Sequence, residues 1–125
     1  RPQFPLWLAP IQVRLIPLKD DFLEFASNLA GKLTEQNIRV DIDDRNDTIS
    51  KRIRDAEKEW INYVLVIGEK EMNSPSLSVR DRTTGDVRQL STENFVKEIQ
   101  DATRGKPISK LNSPILLSQR PQIMV

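Results

Sequence analysis

Apolar positions along this chain alternate between a period of two and a period near 3.6. In residues 11–18 (IQVRLIPL), Val13, Leu15 and Ile16 are the apolar content of a strand, and Pro17, which cannot donate to a ladder, marks its end. Phe22, Phe25, Ala26, Leu29 and Leu33 then recur at helical spacing, predicting a helix to about Gln36. Asp21 with Glu24 has capping-box spacing at its start, and Asn37 suits its C-cap. Ile38, Val40 and Ile42 alternate with Arg39 and Asp41 as a second strand. After the polar turn Asp43-Asp44-Arg45-Asn46-Asp47, either Asp47 or Thr48 can cap a second helix with the stripe Ile49, Ile53, Ala56 and Trp60. Lys51, Arg54 and Lys58 fall together on its opposite face, a pattern more often solvated than bound to phosphate. The run YVLVI at residues 63–67 is apolar throughout, as in a central strand covered on both faces.

The order so far is βαβαβ, with residues 39–67 forming one βαβ unit. Right-handed crossovers make the three strands parallel and neighbouring. Gly68-Glu69-Lys70-Glu71 breaks out at the third strand's carboxyl end. Residues 77–82 and 87–90 form a hairpin around Thr84-Gly85-Asp86. Ser91 caps a last helix with Phe95, Ile99 and Ala102 on its inner face. The predicted fold class is α/β: a single two- or three-layer domain with a mixed, mostly parallel five-stranded sheet. Its expected extent is residues 11–104. Residues 1–10 (RPQFPLWLAP) read as an extended arm, either packing Leu6 and Trp7 onto the domain or linking it to an upstream one. Residues 105–125 read as an extended tail. A start at Arg1 rather than methionine suggests a piece of a longer chain.

Composition narrows the chemistry. The chain has 125 residues, a length that suits one domain, and no apolar run long enough to span a bilayer or to act as a signal peptide. There is no cysteine and no histidine, which excludes disulfides, thiolate metal sites, a thiol nucleophile and an imidazole base. Catalysis by Asp, Glu or Lys stays open. Net charge is +1, but four of the 19 basic residues and none of the 18 acidic ones lie from Arg104 onward. The preceding part is therefore slightly acidic, so nucleic acid would be gripped by a local patch rather than by bulk charge.

Asp41, Asp43, Asp44 and Asp47 invite a cation. An EF-hand frame from Asp41 puts Arg45 at its fifth position, and a frame from Asp43 puts Arg45 at its third, so both fail and turn or cap chemistry accounts better for the cluster. Lys19-Asp20-Asp21 suggests a phosphorylation receiver, but Gly68-Glu69 stands where the next aspartate belongs. Neither GxxxxGK[ST] nor GxGxxG occurs. What remains is a set of polar groups: Asn46 after the second strand, Glu71 after the third, Arg80 on the hairpin and Trp60 at the end of the second helix. Asn and Arg pair with base edges, Glu accepts from base amino groups, and Trp offers a stacking plane. Each is also an ordinary turn former or ion-pair partner. Asn46 and Glu71 both lie beyond carboxyl ends of what are expected to be adjacent parallel strands, the edge where open α/β sheets bind ligands.

Three segments, FPLWLAPIQVRLIPL, NIRVDIDDRNDTISKRIRDAEKEW and YVLVIGEKEMNSPSLSVRDR, resemble the C-terminal anticodon-binding domain of threonyl-tRNA synthetase, a class II aminoacyl-tRNA synthetase. DIDDRN, IRDAEKEW and the late PILLSQRP are similar to the archaeal form. Prolyl-, glycyl- and histidyl-tRNA synthetases share the fold, and the WLAPIQVRLIP and GEKE segments favour the threonine enzyme. The resemblance implies the class II synthetase anticodon-binding fold. It also implies that the domain holds the anticodon loop of the threonine tRNA and reads its second and third bases, G and U. The family's base-contacting positions match Asn46, Glu71 and Arg80; a fourth, an arginine in bacterial members, falls on Trp60, where stacking could replace a hydrogen bond. Arg45 and Lys70 are weaker candidates, for phosphate contact.

The resemblance implies no catalytic residue, cofactor or metal within these residues. A parent enzyme would use ATP with magnesium and a zinc in its catalytic domain. It would be a cytoplasmic homodimer that binds neither membrane nor DNA. Two rival expectations are an accessory protein-interaction domain of the same fold without RNA binding, and a small acid-rich metal or phosphoryl-transfer domain.

Overall fold

The computed structural model describes residues 5–108 and 114–120. The outermost four residues of the arm, and residues 109–113 and 121–125 of the tail, lie outside the described residues. Five strands, β1 (Val13–Pro17), β2 (Val40–Ile42), β3 (Tyr63–Ile67), β4 (Ser76–Asp81) and β5 (Val87–Ser91), form one sheet in the order β2-β1-β3-β4-β5. β1 pairs in parallel with β2 and β3, while β4 pairs antiparallel with β3 and β5. The helices are α1 (Leu23–Glu35), α2 (Ile49–Lys58), α3 (Glu69–Met72) and α4 (Thr92–Thr103). The expected α/β class and the mixed sheet, parallel at its core, are what the chain forms.

Strand alternation divides the side chains between two faces. Val13, Leu15, Val40, Ile42, Tyr63, Leu65, Ile67, Leu77 and Val79 point to one face and pack with Ala26, Leu29, Ala30 and Leu33 of α1 and Phe95 and Ile99 of α4. The other face carries Ile16 and Val64 under Ala56 of α2, with Ile11 and Ile61 beside them. Three layers result, but the third covers only β1 and β3.

Local chemistry sets the element ends. Thr48 Oγ1 accepts from the Lys51 amide at the start of α2, and Ser91 Oγ accepts from the Asn94 amide at the start of α4, as expected of N-caps. Asn37 has φ +64, and the Ile38 amide donates to the Leu33 carbonyl, a left-handed helix stop. Other expectations fail or are refined. Asp21 caps nothing: Asp20–Phe22 form a 3-10 turn, and Phe22 precedes α1 without a side-chain cap. Gly68-Glu69-Lys70-Glu71 does break out past β3, and it opens the short helix α3. Ala102, expected on the inner face of α4, is exposed. Most consequentially, β2 and β3 are not adjacent, since β1 lies between them.

Both flanks fold back. Leu6–Leu8 form a 3-10 turn, held where Gln12 Nε2 donates to the Leu6 carbonyl and Arg39 donates to the carbonyls of Trp7 and Ala9. At the other end, Leu116 bridges in parallel to Ile42 on the free edge of β2.

Candidate functional site

The face under α2 is built mostly from polar side chains where α2 does not reach. Arg14 and Asp41 are register partners on β1 and β2, and both side chains are wholly buried. Arg14 Nε and Nη2 donate to the two Asp41 oxygens at 2.9 and 3.0 Å, and Nη1 and Nη2 donate to Glu59 at 2.7 and 3.0 Å. Burial alone would lower the Arg14 pKa, but the hydrogen bonds to Asp41 and Glu59 outweigh it and hold the guanidinium above its ordinary value. The alternating pattern of the second strand therefore hid an internal ion pair, not a solvent-facing side.

The loop between β2 and α2 is braced along its length. Asp43, fully buried, accepts two hydrogen bonds from the Arg45 guanidinium, at 2.9 and 2.8 Å. Arg45 also reaches Asp55 at 3.1 Å. The hydrogen bond to Asp43, foremost, keeps Arg45 above its ordinary pKa despite partial burial. Its charge is thus turned inward rather than held out for a phosphate. Arg52, almost buried, donates to the carbonyls of Pro17 and Asp43. Asn46, at the loop's apex, is exposed and makes no side-chain hydrogen bond with another described residue. It lines a cleft of about 500 Å³ with Lys19, Asp20, Asp44, Arg45 and Arg52. The four aspartates that invited a cation are divided among different partners: Asp41 faces Arg14, Asp43 faces Arg45, Asp44 faces Ser118 and Asp47 faces Lys51.

Beyond β3 the polar face continues. Glu71 folds back so that Oε1 accepts from the Gly68 amide at 2.9 Å, while Oε2 accepts from Ser78 Oγ at 3.3 Å. Glu71 is consequently 7% exposed. A Cβ on Gly68 would stand 2.8 Å from Leu18 Cδ1 and 3.4 Å from Glu71 Oε1, so glycine gives this turn its room. Ser76, Ser78 and Arg80 share one side of β4, opposite the inward Leu77, Val79 and Asp81. Across the ladder they meet Ser91, Gln89 and Val87, and Gln89 Nε2 donates to Ser78 Oγ. Gln89 and Val87 are exposed, and Arg80 is half-buried without a hydrogen bond or ion pair to another described residue.

Trp60 does not end the apolar stripe of α2; it lies past the helix, at φ +64, in the left-handed position where glycine is usual. The Ile61 amide closes that turn onto the Ala56 carbonyl at 3.1 Å. The backbone swings the indole outward to 39% exposure, where Arg82 lies 4.8 Å from its ring centroid. The place that the stripe assigned to Trp60 and Ile49 is taken in part by the buried Arg52.

The five candidates therefore fall into two groups along one face. Asn46, Arg45 and Glu71 stand at the carboxyl edge of the parallel strands. The strands that lead to Asn46 and Glu71 are two spacings apart, roughly 10 Å, rather than one. Arg80 pairs with Val64 near the opposite end of β3, and Trp60 lies at the far end of α2, roughly 15 Å along the helix axis from the Asn46 loop. Ser78, Gln89 and Arg82 lie among these groups and were not singled out from sequence, although the S-x-S-x-R alternation of β4 carried the signal.

Comparisons with known proteins agree with this architecture. Residues 12–102 match the family described as an anticodon binding domain. The chain is 60% identical over its whole length to the threonine–tRNA ligase of Nitrosopumilus maritimus, and 48% identical to that of Cenarchaeum symbiosum. It spans 20% of the length of each of those relatives. Among solved structures, the RNA binding domain of threonyl-tRNA synthetase from Cryptosporidium parvum superposes with a TM-score of 0.74 at 26% identity, covering 86% of this chain and 26% of that one. A histidyl-tRNA synthetase from Nostoc gives 0.68 at 20% identity, covering 74% of this chain and 22% of that one, a likeness of fold.

Proposed function

The chain belongs to the anticodon-binding domain family, and on that premise we propose that it holds the anticodon loop of the threonine tRNA as one part of a threonine–tRNA ligase. The second and third anticodon bases, G and U, are the ones it reads. Asn46 donates and accepts at a base edge over its cleft. Arg80 supplies a two-pronged donor. Glu71 accepts through Oε2, which exchanges the longer of its two hydrogen bonds, that with Ser78, for one from the RNA. Trp60, with Arg82 on one side of its ring, offers a stacking plane at the far end of the same face. Arg45 shapes the loop more than it meets phosphate, and the exposed Lys70 is the better phosphate candidate.

One observation carries this reading. The sheet face under α2 runs out of helix beyond β3, and the uncovered part bears Ser78, Arg80 and Gln89, with the exposed Val87 as an apolar neighbour of Arg80. A polar, half-open sheet face is the kind of surface on which unstacked RNA bases are read.

In this proposal residues 11–104 are the binding domain, with the arm as its link to an upstream catalytic domain. The parent, a cytoplasmic homodimer, uses ATP with magnesium and a zinc in that catalytic domain. The residues described here hold the substrate RNA and carry no bond-making step.

Affinity of the full-length protein for an anticodon stem-loop, at fixed salt, tests the proposal. Changing either G or U should weaken binding by about 1–3 kcal/mol, as for specific base readout elsewhere. Arg80→Ala should lose a similar amount while the melting temperature stays put. Equal binding of original and altered loops would overturn base reading. Absence of any salt-sensitive RNA affinity would instead favour an accessory protein-interaction role.

A further inference from the structure

The segment PILLSQRP, distinctive in sequence, is not absorbed by the site described so far. Its described part, residues 114–120, runs along the free edge of β2 and then over the loop that carries Asn46. The Ile42 amide donates to the Ile115 carbonyl at 2.9 Å, and Leu116 bridges to Ile42 while packing on the apolar core. Two residues on, the Ser118 amide and hydroxyl both donate to the Asp44 carboxylate, at 3.0 and 2.7 Å. Arg120 then turns back: Nη1 lies 3.0 Å from the buried Asp41 Oδ2, and Nε donates to the Pro114 carbonyl at 2.8 Å. Three successive anchors thus fall on residues 41, 42 and 44, the lead-in to Asn46.

We propose that residues 114–120 are a strap that sets the position of Asn46, with Ser118 and Arg120 as positioning residues for base reading at the carboxyl edge. The physical case is one of freedom removed. Asp43 and Asp47 are held from within the loop and from α2, through Arg45, Arg52 and Lys51. Asp44 has its side-chain partner outside that unit, on the strap. A two-pronged clasp on the carboxylate two residues before Asn46 limits the loop's excursions, so less ordering remains to be done when RNA arrives. Arg120 also supplies Asp41 with a second cation beside Arg14, which ties the strap's far end to a wholly buried ion pair.

This inference rests on Asn46 reading a base, and the test separates the two. Affinities of the full-length protein for the original stem-loop and for loops altered at either the second or the third base are compared across Asn46→Ala, Ser118→Ala, Ser118→Thr and the Asn46→Ala/Ser118→Ala pair. The strap predicts that Asn46→Ala and Ser118→Ala each lower discrimination at the same base by about tenfold. It predicts that the pair does little more than Asn46→Ala alone, and that Ser118→Thr, which keeps the hydroxyl, restores the original ratio. A role confined to stability would lower the melting temperature without moving that ratio. If Asn46→Ala loses discrimination and Ser118→Ala keeps it, or the two effects add, the strap is wrong and the site stands. If Asn46→Ala keeps discrimination at both bases, the reading of Asn46 fails and takes the strap with it.

Discussion

The face of the sheet under α1 and α4 and the face under α2 come from the same five strands, yet they are closed by different means. β1 sends Val13 and Leu15 to the first and Arg14 and Ile16 to the second. The first face is apolar from β2 to β4 as far as Asp81, whose buried carboxylate is paired with Arg88, and two helices lie across it. The second pairs a small apolar patch under α2 with an internal salt bridge on one side and an uncovered polar ladder on the other. An apolar face must be covered completely, because exposed hydrocarbon is costly and sticky. A polar face, once its buried charges are paired, can be left half open to water, and so is free for a ligand. The contrast teaches that the candidate interface begins where the outward residues of a strand stop being apolar, between Val66 of β3 and Ser78 of β4.

Two substitutions, with the largest expected effects, compare how the faces are held. Phe95 is wholly buried and meets Tyr63 edge-on, with ring centroids 5.3 Å apart. Phe95→Ala should cost about 3–5 kcal/mol in denaturant unfolding and leave the stem-loop affinity of the folded protein unchanged. Arg14→Met should cost a comparable amount, about 3–5 kcal/mol, because Asp41 stays buried with Arg120 as its remaining cation. The pair is sharpened by conservative changes. Phe95→Leu should recover much of its loss, whereas Arg14→Lys should not, because one ammonium cannot bridge two carboxylates as the guanidinium fork does. If Arg14→Lys proves harmless, the second face is not held by the geometry described.

A smaller effect should come from Trp60→Gly. Glycine relieves the left-handed backbone by about 1 kcal/mol, and loss of the Arg82 contact forfeits about 0.5–1 kcal/mol, so stability should be near unchanged. Stem-loop affinity should fall by about 1–3 kcal/mol if the indole stacks on a base. Unchanged affinity would remove Trp60 from the interface and leave the rest of the face in place.

The same contrast explains what could be read from the chain. The continuous run at Tyr63–Ile67, the helix stop at Asn37 and the caps at Thr48 and Ser91 were legible because each depends on neighbours within a few residues. The burial of Arg14 and Asp41 is not legible in the chain, since each is compensated by residues 27 or more positions away. Ala56 and Trp60 have helical spacing, and only the backbone reveals that the helix has already stopped before Trp60. Strand order has the same character. β2 and β3 are consecutive in sequence, but β1 separates them, and the expected spacing of Asn46 and Glu71 was too short for that reason. The resemblance named the candidate residues; their division between the carboxyl edge and the far end of the face comes from topology alone.

The most direct test of the half-open face is residue-by-residue: amide chemical shifts of the protein followed as an anticodon stem-loop is added. The account predicts the largest changes at Asn46, Glu71, Ser78, Arg80 and Gln89, a further set around Trp60 and Arg82, and none along α1 and α4. Changes concentrated on α1 or α4, with the open polar face silent, would contradict it.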